Sequence, residues 1–333
     1  MHVVENKKCG EKGPSKVILR HYGGNVFDLQ NSLAENNFIK NSETEEVMIF
    51  FEQSERGQGP KLYGVFPGGR IEEYVENHTL TPEEAQTPAM MKDLAINYAR
   101  FHSLQLPFPH DKIQRLAKTV GPRPDKQEED PATMAALFQH PAIASLGIDF
   151  QKLALFDYKG EFTWLFTLIH VVPSREAFIT FDTNFLNVLV RDKQSDGQLR
   201  SVLVDYEMAI YAFRGLDLGG HFVNTLIKWD GKVTKNSGHK FPSEEKRKQF
   251  VEYYMEENAK LAAYTLDERD TVDHVMMEAD MGALLFSLFF SAMPLKFADK
   301  FMHEPSFFTV GPLLQDFYID YKKVCKEKYT NWL

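Results

Sequence analysis

The chain has 333 residues, 43% of them hydrophobic and 26% charged. That is an ordinary globular composition, long enough for one large domain or a two-lobed one. Its 38 basic and 47 acidic side chains leave a formal net charge of −9, which argues against a nucleic-acid partner. Cys9 and Cys325 are too few for a disulfide framework and suit a reducing compartment, so a cytoplasmic location is expected. The opening residues show no basic-then-apolar secretory pattern. The most apolar run, 281–295, falls short of the ~20 residues a membrane helix needs and reads as a buried helix, so no membrane span is expected.

In chain order, residues 1–15 are polar and read as a loop or frayed arm. Residues 16–21 (Lys-Val-Ile-Leu-Arg-His) read as a strand. Residues 43–54 have helical character, with Val47, Phe50 and Phe51 as an apolar face. Runs 61–66 and 70–75 flank Pro67-Gly68-Gly69, a strong hairpin turn. Thr81-Pro82-Glu83-Glu84 is a helix start, with a capping hydroxyl, a first-turn proline and acids favoured by the helix dipole. An amphipathic helix follows over 90–104, and His102 within it reads as a structural, hydrogen-bonded histidine. Residues 119–131 read as a surface loop. Further helices are expected at about 132–145, 149–170, 243–264 and 271–292.

The chemistry concentrates in 178–222. Asp182 and Asn187 precede the apolar run Val188-Leu189-Val190, and Asp205 follows Val202-Leu203-Val204. Both runs have strand length and β-branched content. Asp196-Gly197 between them is a hairpin pair, which would bring Asn187 and Asp205 to one end of two paired strands. An Asp, an Asn five residues on and a later Asp after a strand form the phosphoryl-transfer pattern. Their hard oxygen ligands suit Mg²⁺. Taken alone, Asp182 and Asn187 could as well cap a turn.

Several segments in order make the pattern specific. Asp205-Tyr206-Glu207, Arg214-Gly215-Leu216-Asp217 and His221-Phe222 resemble the choline/ethanolamine kinase family, where this stretch runs close to DFEY…YRGFD…NHF. Pro60-Lys61-Leu62-Tyr63-Gly64 and Gly69-Arg70-Ile71-Glu72-Glu73-Tyr74 resemble its GPKLYG and GRLEQF segments, and 16–23 resembles its VLLRLYG strand. The resemblance implies an α+β, two-lobed protein-kinase-like fold: a small mixed lobe over 1–75 and a larger, mainly helical lobe over 76–333. It also implies ATP and Mg²⁺ as cofactors and choline or ethanolamine as substrate, with a homodimer as the family's common assembly. Asp182 would orient the hydroxyl, Asn187 and Asp205 would hold Mg²⁺, and Arg20 would meet nucleotide phosphates with Glu45 as its helix partner. Glu72, Glu73, Tyr74 and Val75 would border the adenine.

Departures from the family pattern matter as much. A glycine-rich phosphate loop and two strands precede the 16–21 strand in the family. Residues 1–15 read without them, so a truncated nucleotide lobe with weak ATP binding is expected. The family's HNDxQxxN becomes 180–187 here, with Thr180 for the His and Asn184 for the Gln. Its HFxEW becomes His221-Phe222-Val223-Asn224-Thr225, so Asn224 replaces an acid. Two cage tryptophans align with Ala283 and Phe286, leaving Trp229 and Phe297 as other aromatic walls; Glu207 completes the implied substrate set. These changes weaken attraction for a quaternary ammonium, and Asn224→Glu with Ala283→Trp is expected to restore it. The alternative to an active kinase is a degenerate one that binds a ligand or a family partner without efficient turnover.

Overall fold

A computed structural model describes residues 2–5, 13–22, 41–110, 141–144, 150–195, 197–229, 234–261, 265–296, 309–330 and 332. The first layer is a four-stranded antiparallel sheet of β1 (His2–Glu5), β2 (Lys16–His21), β3 (Leu62–Phe66) and β4 (Gly69–Glu73), in the order β1-β2-β4-β3. Between β2 and β3 comes helix α1 (Glu43–Glu55). The β3–β4 turn works because Gly68 takes φ +79°, a left-handed conformation that costs glycine little.

Two sequence expectations are corrected in this layer. Residues 2–5 are a strand rather than a loop: Val3 pairs with Ile18 and Val4 with Val17. A four-residue edge strand of exposed side chains has no burial pattern to announce it. The residues after β1, 6–12, which include Cys9 and Gly10, lie outside the described set. Helix α1 buries Glu46, Ile49, Phe50 and Gln53, while Phe51 is 51% exposed. The spacing of those four residues is that of one helical face. The face includes an acid because Glu46 has a buried arginine to meet.

The larger lobe follows β4 through a short linker. Its elements are β5 (Asn77–Thr79), α2 (Pro82–Ala85), α3 (Pro88–His102), α4 (Pro141–Ala144), α5 (Phe150–Ala154) and α6 (Tyr158–Val171). Then come β6 (Glu176–Ile179), β7 (Val188–Arg191), β8 (Ser201–Leu203), β9 (Ile210–Phe213) and α7 (Gly215–Asn224). The described chain ends with β10 (Ile227–Trp229), β11 (Thr234–Asn236), α8 (Glu244–Leu261), α9 (Val272–Lys296) and α10 (Val310–Lys328). The helix expected over 149–170 is two helices, because the Asp157 side chain caps a new start by accepting from Gly160 N at 2.9 Å. The surface loop at 119–131 and most of the helix expected at 132–145 lie outside the described residues.

Helix α9 is longer than its apolar run. By length and composition alone 272–293 could cross a membrane, yet most of it is buried inside the protein. Its buried acids are paired within the fold. Glu278 accepts from Arg214 Nε at 2.9 Å, and Asp280 accepts from Tyr321 OH at 2.7 Å. Arg214 also reaches Asp270 at 2.7 Å, which Arg175 holds at 2.5 Å. Helices α7 and α9 cross at backbone contact: a Cβ on Gly282 would lie 1.8 Å from Gly215 O, so the crossing requires glycine there.

Candidate active site

Sheet pairing assembles the site. Strands β7 and β8 are antiparallel, with Val188 opposite Leu203. Val204 N donates to Asn187 O at 3.0 Å, which sets Asp205 directly beyond Asn187. A single 3₁₀ turn, Phe185–Asn187, carries Asn187 back toward Asp182. Asn187 Nδ2 donates to Asp182 Oδ2 at 3.1 Å, and Asn184 N donates to Asp182 Oδ1 at 3.3 Å. Asp182, Asn187 and Asp205 therefore come together as their spacing implied.

Two non-glycine residues in the site hold left-handed backbone, Phe181 at φ 63° and Asp205 at φ 65°. Each costs on the order of 1–3 kcal/mol and persists only where surrounding bonds over-determine it. At Phe181 the determinant is Asp217 on α7, which is fully buried. Its carboxylate accepts from Thr180 N (2.7 Å), Thr180 Oγ1 (2.9 Å) and Phe181 N (2.9 Å). His102 Nε2 lies 3.2 Å from the same carboxylate, and its Nδ1 lies 3.0 Å from Tyr254 OH. The bracing that a histidine at position 180 could supply is thus met by the Thr180 hydroxyl. Sequence reading missed Asp217 as the hub; its signal was its place in the Arg214-Gly215-Leu216-Asp217 segment, which carried a resemblance but no role.

The site is electrostatically tense. Burial pushes the Asp182 carboxyl up to about 6, against hydrogen bonds from Asn184 and Asn187, and repulsion from Glu207 and Asp217 adds to the rise. Burial pushes Asp205 up to about 7, with Glu207 again adding and Arg20 opposing. A cation bound near Asp182, Asp205 and Glu207 would relieve this mutual repulsion. Among the described residues no group of three His, Cys, Asp or Glu has metal-binding geometry. Mg²⁺ needs fewer protein ligands, since it keeps waters and phosphates. The donors fit it: Asn187 spends its NH₂ on Asp182, which leaves Oδ1 for a metal, and Asp205 would offer a second oxygen.

The small lobe meets this site from β2 and α1. Arg20 does not pair with Glu45: its Nε donates to Glu72 Oε1 at 3.0 Å. Arg20 and Glu72 are diagonal neighbours across β2 and β4, where Arg20 faces Arg70 and Ile18 faces Glu72. Glu45 instead closes a capping box, accepting from Ser42 N at 2.8 Å. The buried helix–sheet pair is Glu46 with Arg70 at 2.8 Å, and Arg70 also donates to Tyr22 OH at 2.8 Å. Ser42→Ala is therefore expected to cost about 0.5–2 kcal/mol in urea unfolding, the usual worth of such a cap.

Glu72 and Glu73 end β4, and Tyr74 and Val75 follow as the linker. Glu73 pairs with Lys61 through the backbone at 2.8 Å, and Val75 is buried. Tyr74 is half-buried with the Lys16 ammonium 5.4 Å from its ring centroid. Beyond them Asp192 N donates to Glu76 O at 3.0 Å, which ties the linker to the end of β7.

The residues expected around the alcohol divide. Glu207 is half-buried beside Asp205. Phe286 is corrected from a cage wall to core: it is 2% exposed, with its ring 4.4 Å from that of Phe290. Ala283 is fully buried at the α7–α9 crossing. Asn224 is fully buried too and faces the loop carrying Asp182, donating to Thr183 O at 2.9 Å and Thr183 Oγ1 at 3.0 Å. Trp229 ends β10 with its side chain outside the described set, as is all of Phe297. His221 is core: burial pushes it down to about 3, and it stacks on Phe250 at 4.9 Å.

Comparison with known proteins gives a family and a fold. The family model for choline/ethanolamine kinase matches residues 1–330. A choline/ethanolamine kinase of Rattus norvegicus is 28% identical over 249 residues, covering 73% of this chain and 56% of that protein. One of Homo sapiens is 25% identical over 286 residues, covering 83% of this chain and 65% of that protein. The matches thus span between half and two thirds of these relatives' own length. The crystal structure of a choline kinase from Cryptosporidium parvum superposes with a TM-score of 0.63 at 18% identity, covering 97% of this chain and 86% of that one. That likeness shows the two-lobed, protein-kinase-like α+β fold. With a family model matched along almost its whole length, the chain belongs to the choline/ethanolamine kinase family.

Proposed function

We propose that this chain transfers the γ-phosphoryl group of ATP to the hydroxyl of choline or ethanolamine, opening phosphatidylcholine or phosphatidylethanolamine synthesis in the cytoplasm. The observation that carries the reading is the convergence of Asp182, Asn187 and Asp205, held by Asp217. Asp182 accepts the hydroxyl proton as the alcohol oxygen bonds to the γ-phosphorus and the bond to the ADP oxygen breaks. Asn187 and Asp205 are the oxygens that hold Mg²⁺, whose charge when bound offsets that of the nucleotide phosphates. Arg20, now on Glu72, lies within electrostatic reach of Asp205 and is placed to meet a phosphate.

Residues 1–75 serve as the nucleotide lobe, with Glu72 to Val75 along the adenine edge, and 76–333 as the catalytic and substrate lobe. The alcohol's ammonium is attracted by Glu207 together with Asp182 and Asp205, and Trp229 and Phe297 are its proposed aromatic walls. The relatives' printed names, choline/ethanolamine kinase, support both alcohols. A homodimer is part of the proposal.

Asn224 and Ala283 favour a second reading, a degenerate kinase that binds without efficient turnover. Steady-state kinetics with Mg²⁺–ATP and choline, ethanolamine or their N-methylated intermediates separates the two. Saturable phosphorylation of at least one alcohol, abolished by chelating Mg²⁺, is expected. A folded, ATP-binding chain that phosphorylates none of them supports the second reading.

A further inference from the structure

We infer that Gly220 and Asn224 form a cradle on α7 that sets the position of Asp182. Asn224 is then a positioning residue for phosphoryl transfer rather than a wall of the alcohol pocket, an inference that rests on the kinase reading above. The contacts are specific. Thr183 follows Asp182 in the chain and is 2% exposed. The Asn224 side-chain amide donates to its carbonyl at 2.9 Å and its hydroxyl at 3.0 Å, and to Gly220 O at 3.0 Å. One turn earlier, a Cβ on Gly220 would sit 2.6 Å from Thr183 Oγ1 and 2.8 Å from Phe286 Cδ2. Only glycine lets the loop settle so closely on the helix.

The other end of the loop hangs from Asp217 on the same helix. Asp217 and Asn224 are two turns apart, about 10 Å along the axis. Asp217 fixes Thr180 and Phe181, Asn224 fixes Thr183, and Asp182 lies between the two anchors. Such double anchoring holds Phe181 in its left-handed conformation. The chemistry at 224 is directional. Its partners there include two carbonyl oxygens, which demand a donor, and an acid at 224 would present only acceptors.

Asn224→Asp, nearly isosteric but without the donor, is the test. Hydrogen–deuterium exchange of the peptide covering 180–187 is expected to quicken by roughly tenfold or more. In the same protein kcat is expected to fall roughly tenfold to hundredfold, equally for choline and ethanolamine, with the KM values for ATP and alcohol within about twofold. Thr183→Ser, which keeps the hydroxyl, is expected to behave as wild type, and Thr183→Val to share the defect. If Asn224→Asp fails to fold, Thr183→Val carries the test. Unchanged exchange at 180–187 overturns the cradle. A loosened loop with unaltered kcat, or a selective change in the choline KM, overturns the positioning role. A wild type that phosphorylates neither alcohol removes the kinase reading and the positioning role with it, while the exchange result still decides whether the cradle braces the loop.

Discussion

Replacing Asp182 with Asn is expected to lower kcat by about 10²–10⁴-fold, the usual worth of a positioned general base. The isosteric amide keeps one acceptor oxygen, enough for the bond from Asn184 N but not also for that from Asn187 Nδ2, and it cannot accept the hydroxyl proton. The fold should not suffer. Burial raises Asp182 to about 6 and Asp205 to about 7, so each carboxyl is held in its ionised form at a cost. Well below their ordinary range both carboxyls are protonated, folded or unfolded, and contribute nothing. As pH rises past that range the unfolded chain ionises first, so stability falls until the folded values are passed at about 6 and 7. In the unliganded protein, Asp205→Asn is accordingly expected to raise the unfolding free energy measured in urea at pH 8 by on the order of a few kcal/mol, with the gain vanishing near pH 4. An equal gain at both pH values would show that the strain at Asp205 is not electrostatic.

The pair Asn224→Glu with Ala283→Trp is expected to unfold the larger lobe rather than improve choline use. Ala283 is fully buried where α7 and α9 touch; a Cβ on Gly219 would already lie 2.1 Å from Ala283 N. Overpacking a filled core by a few methylenes costs about 1–3 kcal/mol, and an indole adds far more volume than that. A glutamate at 224 replaces three donated bonds with a buried charge facing carbonyl oxygens. Together the changes should exceed about 4 kcal/mol, a large part of a domain's stability. Thermal unfolding of the single and double variants reads this directly. A double variant that melts with wild type would show that the α7–α9 seam is looser than its contacts imply.

What could be read without the fold was whatever depends on short-range pattern. Strand 16–21, the Pro67-Gly68 hairpin and the Asp182, Asn187 and Asp205 triad are local in sequence, or joined by one hairpin. The misreadings share a physical cause: they depend on what lies across a contact. Glu45 and Glu46 are adjacent in sequence but point about 100° apart around a helix. Which one faces the sheet follows from the capping box at Ser42, and Arg70 settles the pairing. Strand β1 is exposed and is defined only by its backbone partner in β2. Asn224 reads as a lost acid until Thr183 is found opposite it. For Phe286 a Phe-rich helix favours core over cage, but an apolar ring on a buried helix has the same spacing in either role, so only its packing on Phe290 distinguishes them. His102, read as a satisfied structural histidine, does have both ring nitrogens hydrogen-bonded, but its partner Asp217 lies far along the chain.

The most direct test of the central claim is phosphorus NMR of the wild-type chain with Mg²⁺–ATP and either choline or ethanolamine. A phosphomonoester resonance growing in step with ADP, and absent with Asp182→Asn, is the predicted result. Release of inorganic phosphate without any ester, or no reaction by a folded chain that binds ATP, would contradict it.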